Sequence, residues 1–334
     1  VRPMSNEMSE LNTQEEFETI KGRHIGDGSF NIRLKDKIIN APLTINFGCN
    51  VVEIVNCTFN QPITISGGVQ STLNIKNCTF NREVSFDDLT VKENARMQSN
   101  TWKDKVYFNN SRFEKLADFW SSTFHKPVIF FKTDFVGIAV FAIAEFKGPV
   151  LFTYSLIAKH LILRGAKFRD GLDLSQAILD GSINSFEAVV EGKSMVSPAD
   201  DEEFESWVAT EAIIPIKNER ETYRILKKQT VDSGNYIEAG KYWKKEIVTF
   251  SREIELMPWK GKFWFIVQNR TVLFLNLVSN NHNASWMLGA TFTILVGAFS
   301  FFAAFVATED IEFAWRIPDG EEFWGYTISQ YIIV

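Results

Sequence analysis

Histidine, cysteine and glycine-rich turns are where chemistry would be sought first, and their spacing here argues against it. His24, His125, His160 and His282 are scattered, with no H-x-x-x-H pair and no carboxylate at metal-ligand spacing. Cys49, Cys57 and Cys78 fit neither a disulfide framework nor C-x-x-C zinc spacing, so reduced, packed thiols are expected. Gly26-Asp27-Gly28 and Gly67-Gly68 read as turns, without the dinucleotide or P-loop pattern. No catalytic residue, cofactor or metal is expected, and the chain is not read as an enzyme. The chemistry that remains is electrostatic. Glu309, Asp310, Glu312, Asp319, Glu321 and Glu322 crowd one short stretch, and Thr327, Ser329 and Gln330 follow in an apolar run. Beside a membrane such residues attract cations and line a pore.

The composition narrows what positions them. Apolar residues make up 45% and charged residues 23% of 334, which excludes wholesale disorder. Acids outnumber bases 41 to 35, which disfavours a basic nucleic-acid-binding protein of the usual kind and leaves room only for a local patch. Phenylalanine is the anomaly, with 30 against 7 tyrosines. That bias points to repeated apolar slots with no partner for a hydroxyl. The first forty residues hold no apolar run, so no signal peptide is expected.

Internal repetition accounts for the phenylalanines. Phe113, Phe124, Phe135, Phe146, Ile157, Phe168 and Leu179 each follow the last by eleven residues, and Trp102, Val91 and Phe80 extend the comb backwards. With two slips it runs on through Val69, Phe59 and Gly48 to Ile39. A small residue stands two positions before many of these: Cys57, Cys78, Ser111, Ser122, Thr133, Ala144, Ser155, Ala166 and Ala177. Four and six residues after them come apolar pairs such as Val84/Phe86, Val106/Phe108, Val128/Phe130 and Val150/Phe152. Alternate spacings of five and six match neither a helix nor a lone strand. They predict short faces joined by corners, with inward side chains stacked coil on coil. Cys49, beside Gly48, lies off this comb and receives no role.

This pattern resembles the pentapeptide-repeat family, with Ala144-Glu145-Phe146 and Ala166-Lys167-Phe168 closest to its unit. The resemblance implies a right-handed quadrilateral β-helix over residues 39–190, a rod of roughly 35 Å. The whole chain is then of mixed class: the pentapeptide-repeat-like β-helix, an α-helical hairpin and a transmembrane α-helical region. Some members of the family mimic DNA with an acidic rod. Here bases and acids nearly balance between 39 and 190, which disfavours that role.

A polar arm, 1–38, precedes the rod. A linker, 191–216, follows it and carries the acidic run Asp200-Asp201-Glu202-Glu203. Residues 217–256 read as two helices broken at Ser233-Gly234-Asn235, with Tyr223, Leu226 and Thr230 on one face and Trp243, Ile247 and Phe250 on another. Tyr223, Arg224, Leu226, Gly234 and Trp243 resemble the helical segment that joins pentapeptide repeats to membrane helices in bacterial channel-like proteins. They are the candidate coupling hairpin.

Residues 257–285 read as an interfacial segment and 286–307 as a transmembrane helix without a charge. Gly289, Thr293 and Gly297 form a small-residue packing face at every fourth position. Lys241, Lys244, Lys245, Arg252, Lys260, Lys262 and Arg270 lie before the span, and Arg316 alone after it. The basic side stays cytoplasmic, which anchors the chain in the cell inner membrane with the β-helix and hairpin in the cytoplasm. Residues 308–334 read as an acidic loop and a re-entrant pore helix, with a return span expected beyond Val334.

Two functions follow. One is a homo-oligomeric ion channel gated by the cytosolic β-helix, expected to be a tetramer, since one span and a re-entrant helix cannot enclose a pore alone. The other is a membrane-anchored docking scaffold that does not conduct. The architecture also resembles the membrane effectors of bacterial anti-phage operons of the Hailong type. That resemblance implies antiviral defence and a regulatory ligand such as a nucleotide or oligonucleotide.

Overall fold

The computed structural model describes residues 9–20, 31–192, 212–282 and 285–307. The chain divides into two compact units, residues 1–266 and 267–334. The first is a parallel β-solenoid of about seven turns with helices at both ends, and the second contains an apolar helix.

Every strand pairing in the solenoid is parallel and links one coil to the next. On one face Trp102, Phe124, Phe146 and Phe168 occupy the same register position in successive coils. Their rings lie nearly parallel, with centroids 5.8, 4.7 and 4.9 Å apart. Phe86, Phe108, Phe130 and Phe152 form a second column at 4.5, 4.9 and 4.6 Å. Coil spacing in a parallel sheet is about 4.8 Å, so one aromatic per coil stacks without adjustment. This accounts for the excess of Phe over Tyr, because a phenol in either column would bury its hydroxyl unpaired.

The slots two residues before the comb positions, such as Phe113, Phe135, Ile157 and Trp102, hold small or polar groups that satisfy the corners. Ser111, Thr133 and Ser155 donate to the carbonyls of Phe86, Phe108 and Phe130 at 3.1, 2.7 and 2.9 Å. Asn100 fills the slot above Cys78. Its amide donates to the Ile75 carbonyl and its Oδ1 accepts from the Cys78 N–H, at 2.8 and 2.9 Å. Cys57 and Cys78 are buried free thiols, as the repeat requires. Among the described residues no group of histidine, cysteine and carboxylate side chains is placed to hold a metal.

The coil changes length along the rod. Leu43 pairs with Ile63, Val51 with Thr72 and Gly67 with Leu89, so the repeat grows from 20 to 21 to 22 residues through irregularities at Cys49/Val51 and Ser66/Gly67. The comb is corrected at one tooth. Cys49, not Gly48, faces inward: Cys49 pairs with Val69 and is buried, while Gly48 is exposed. Ile39, Cys49, Phe59 and Val69 are then ten apart, with no slip.

Both ends of the rod are covered, as open sheet edges must be. The stacking begins within the expected polar arm. Ser9–Leu11 pairs with Lys37–Ile39, and Asn31–Lys35 with Val51–Val55. Helix α1, Gln14–Ile20, starts at a reciprocal cap between Thr13 and Glu16. It buries Phe17, and Gln14 both donates to the carbonyl and accepts from the N–H of Thr44, each at 3.2 Å. The far end is closed by the antiparallel pair α2, Ile216–Asp232, and α3, Tyr236–Leu256.

Candidate functional site

The described part of the coupling hairpin is a cap fused to the last coils. One face of α2 carries Glu219, Thr222, Tyr223, Leu226 and Thr230, all buried, at helical spacing. The side chains of that face complete the unfinished sheet. Thr222 Oγ1 accepts from the Leu174 N–H at 2.9 Å, and Gln229 Oε1 from the Ile183 N–H at 3.1 Å. Lys245 of α3 donates to the Val190 carbonyl. Polar side chains of the helices thus stand in for the next coil.

Charge holds the two helices together. Arg220 of α2 pairs with Glu253 of α3 at 2.6 Å, and Arg252 of α3 with Glu219 of α2 at 3.6 Å. Both carboxylates are more than nine-tenths buried. Tyr223 donates to Glu219 at 3.1 Å. The Glu219 carboxylate lies against Gly192, the last described residue of the rod, where a Cβ would come 2.2 Å from Oε1 and displace it. Burial holds the Lys245 ammonium below the usual lysine range, with Glu191 and Glu219 opposing that shift.

Asp173 is the second latch. It follows Tyr107, Ile129 and Leu151 in an outward column. Ala212 and Ile214 cover Ile129 and Leu151. Asp173 accepts from the Ser175 N–H and hydroxyl at 2.9 and 2.6 Å, and from Asn218 Nδ2 of α2 at 2.9 Å. Desolvation raises its carboxyl above the usual range, despite the opposing bonds from Ser175 and Asn218. An unfolded aspartate titrates near ~3.9. Between that value and its higher folded value, the folded state keeps a proton the unfolded state has lost, so stability falls as pH rises through this window. Asp173→Asn keeps the size and the oxygen that accepts from Ser175, exchanges the oxygen that meets Asn218 for an amide NH2 to which the Asn218 carbonyl can turn, and removes the titration. Its thermal midpoint should therefore vary less with pH than that of wild type and should not be lower at pH 7. An unchanged pH profile would contradict this account of Asp173.

The residues of the candidate coupling hairpin divide in two. Tyr223 and Leu226 lie in the cap's buried face, and Gly234 makes the interhelical turn at φ 77. Arg224 points away, paired to Glu221 at 2.6 Å. Trp243 lies under the Lys227 ammonium, 4.5 Å from its ring centroid, where Lys227 also meets Glu246. Glu219, Arg220, Arg252, Glu253 and Asp173 were missed. Their signal was faint: Glu219 precedes Tyr223 by four residues on the face already read as buried.

In the second unit, α5, Trp286–Ala307, is 22 residues long and uncharged. It is the one described helix long and apolar enough to cross a membrane, and none of its apolar window is buried. Thr293 donates back to the Gly289 carbonyl at 2.9 Å, and nothing lies within 4 Å of a Cβ added at Gly297. The packing face is thus open in a single chain. Helix α4, Phe263–Asn280, precedes it and exposes Trp264, Val272 and Phe274. The pore candidates Glu309, Asp310, Glu312, Asp319, Glu321, Glu322, Thr327, Ser329 and Gln330 lie outside the described residues, as does the acidic run Asp200–Glu203.

No family model, curated protein or solved structure matches this chain. Its likeness to pentapeptide-repeat proteins rests on the repeat and on the coil it folds into.

Proposed function

We propose that this chain is a membrane-anchored β-solenoid, with Trp286–Ala307 in the bilayer and the capped rod in the cytoplasm. The carrying observation is the exposed, uncharged 22-residue helix, about 33 Å long against a hydrocarbon core of roughly 30 Å. The basic residues between Lys241 and Arg270 support the orientation. The finer reading is an ion channel assembled from several copies of the chain, as a tetramer. Its span packs through Gly289, Thr293 and Gly297, and residues 308–334 form the pore mouth. The rod and its cap are the sensing arm. The ion pairs on the buried carboxylates Glu219 and Glu253 and the bonds from Thr222 and Gln229 favour this role, because they tie the rod to α2 and α2 to α3. Such an effector suits the anti-phage systems that the architecture resembles.

The second reading is a tethered docking scaffold without conduction. It is favoured by there being one spanning helix among the described residues. Planar-bilayer recording separates the two. The channel reading expects cation-selective current at low salt. It also expects reduced selectivity when Glu321 and Glu322 are changed to Gln, because the acidic ring no longer concentrates cations within about a Debye length, ~8 Å at physiological ionic strength. Purified full-length chain that inserts yet passes no current under any applied ligand leaves the scaffold.

A further inference from the structure

A groove on the solenoid wall, of about 370 Å3, lies between the coil corners and the residues that follow the linker. That volume falls near the lower end of small-molecule sites, ~300–1,000 Å3. Two kinds of wall meet in it. His125, Lys126, Lys147 and Asp170 come from three successive coils, and Ile213 and Ile214 come from the crossing strap. The strap is held in place, since Ala212 and Ile214 pack on Ile129 and Leu151.

The register fixes the cations. Trp102, Phe124 and Phe146 are successive partners, so Lys103, His125 and Lys147, each one residue later, stack on one corner at roughly 4.8 Å. The acid one residue before Lys147 is engaged elsewhere. Glu145 is taken by Arg169 at 3.5 Å, and the same Arg169 holds Glu191 at 3.2 Å. Lys126 and Lys147 make no ion pair among the described residues. The groove therefore presents two lysine ammoniums against the single carboxylate of Asp170, a net positive charge, beside an aliphatic wall. Gly148, at the floor between the two lysines, is obligatory, because a Cβ would lie 2.5 Å from the Lys126 backbone.

We propose that this groove binds a small phosphomonoester. Its dianionic head lies on Lys126, Lys147 and His125, and its organic part lies against Ile213 and Ile214. Asp170 accepts from a hydroxyl or amino group on that part. A carboxylate brings two oxygens and one charge, whereas a tetrahedral dianion brings three oxygens and two charges, one oxygen for each of the three donors and one charge for each lysine. The site deepens the sensing-arm reading. Its test uses no current, so the two fail separately.

His125 reports occupancy. Burial first, then Lys147 and Lys103, hold its imidazole below the usual histidine range, and Glu145 opposes them. A bound dianion reverses that field. The experiment is NMR of histidine-labelled full-length chain in detergent, with the His125 signal assigned by its loss in His125→Gln. Inorganic phosphate and glycerol 3-phosphate are titrated at constant ionic strength against chloride. A saturable shift and a raised His125 pKa are expected, with glycerol 3-phosphate binding more tightly than phosphate. Lys126→Gln and Lys147→Gln should each weaken binding about tenfold or more, as loss of a charge-assisted bond does. Absence of a saturable shift, an equal shift with chloride, or unchanged affinity in Lys147→Gln would overturn the assignment.

Discussion

Phe146→Ala should lower the stability of the solenoid by about 3–5 kcal/mol, whereas Lys147→Ala, one residue on, should leave it nearly unchanged. Phe146 is fully buried and stacks on Phe124 and Phe168 at 4.7 and 4.9 Å. Removing its ring leaves a void between two rings held by the coil spacing, which the rod cannot close without breaking its ladders. Lys147 projects outward and has no ion pair to lose among the described residues. Chemical denaturation of the two variants measures the difference, and equal midpoints would contradict the inward assignment of the column.

Arg220→Met should loosen the cap. It leaves the Glu253 carboxylate, 8% exposed, without its partner. Breaking a buried pair in this way costs about 3–5 kcal/mol when both members are fully buried. Arg220 is 34% exposed, so about 2–3 kcal/mol is expected. The observable is local. The amide protons of Leu174 and Ile183 are held by Thr222 and Gln229, so their hydrogen exchange should accelerate by roughly 30- to 150-fold. Adding Glu253→Leu to Arg220→Met should recover most of the protection, because no uncompensated charge then remains. Unchanged exchange at both amides would show that the network does not hold the cap to the rod.

The repeat was legible because a solenoid writes its geometry into the chain. Each coil needs one large apolar residue per face, so Phe113 to Leu179 appear at a fixed interval. Reading failed where the interval itself changes. Near Cys49 the coil is two residues shorter than at Phe146, and a comb of eleven carried backwards lands on Gly48. Asn100 was hidden for a different reason. It occupies a slot meant for a small side chain and is accommodated by two backbone hydrogen bonds that no local pattern announces. The capping network was illegible because Glu219, Arg220, Arg252 and Glu253 read as an ordinary charged helix surface. Only the docking of α2 on the last coils and of α3 on α2 buries the two carboxylates and brings the arginines to them. Helix α5 was legible outright, since length and the absence of charge are properties of the sequence itself.

The most direct test of the central claim is alkaline carbonate extraction of membranes from bacteria producing the full chain. A chain anchored through Trp286–Ala307 stays in the pellet with the lipid, and changing Leu295 and Val296 in the middle of that helix to Arg moves it to the supernatant. Wild-type chain released by carbonate as completely as that variant would contradict membrane anchoring.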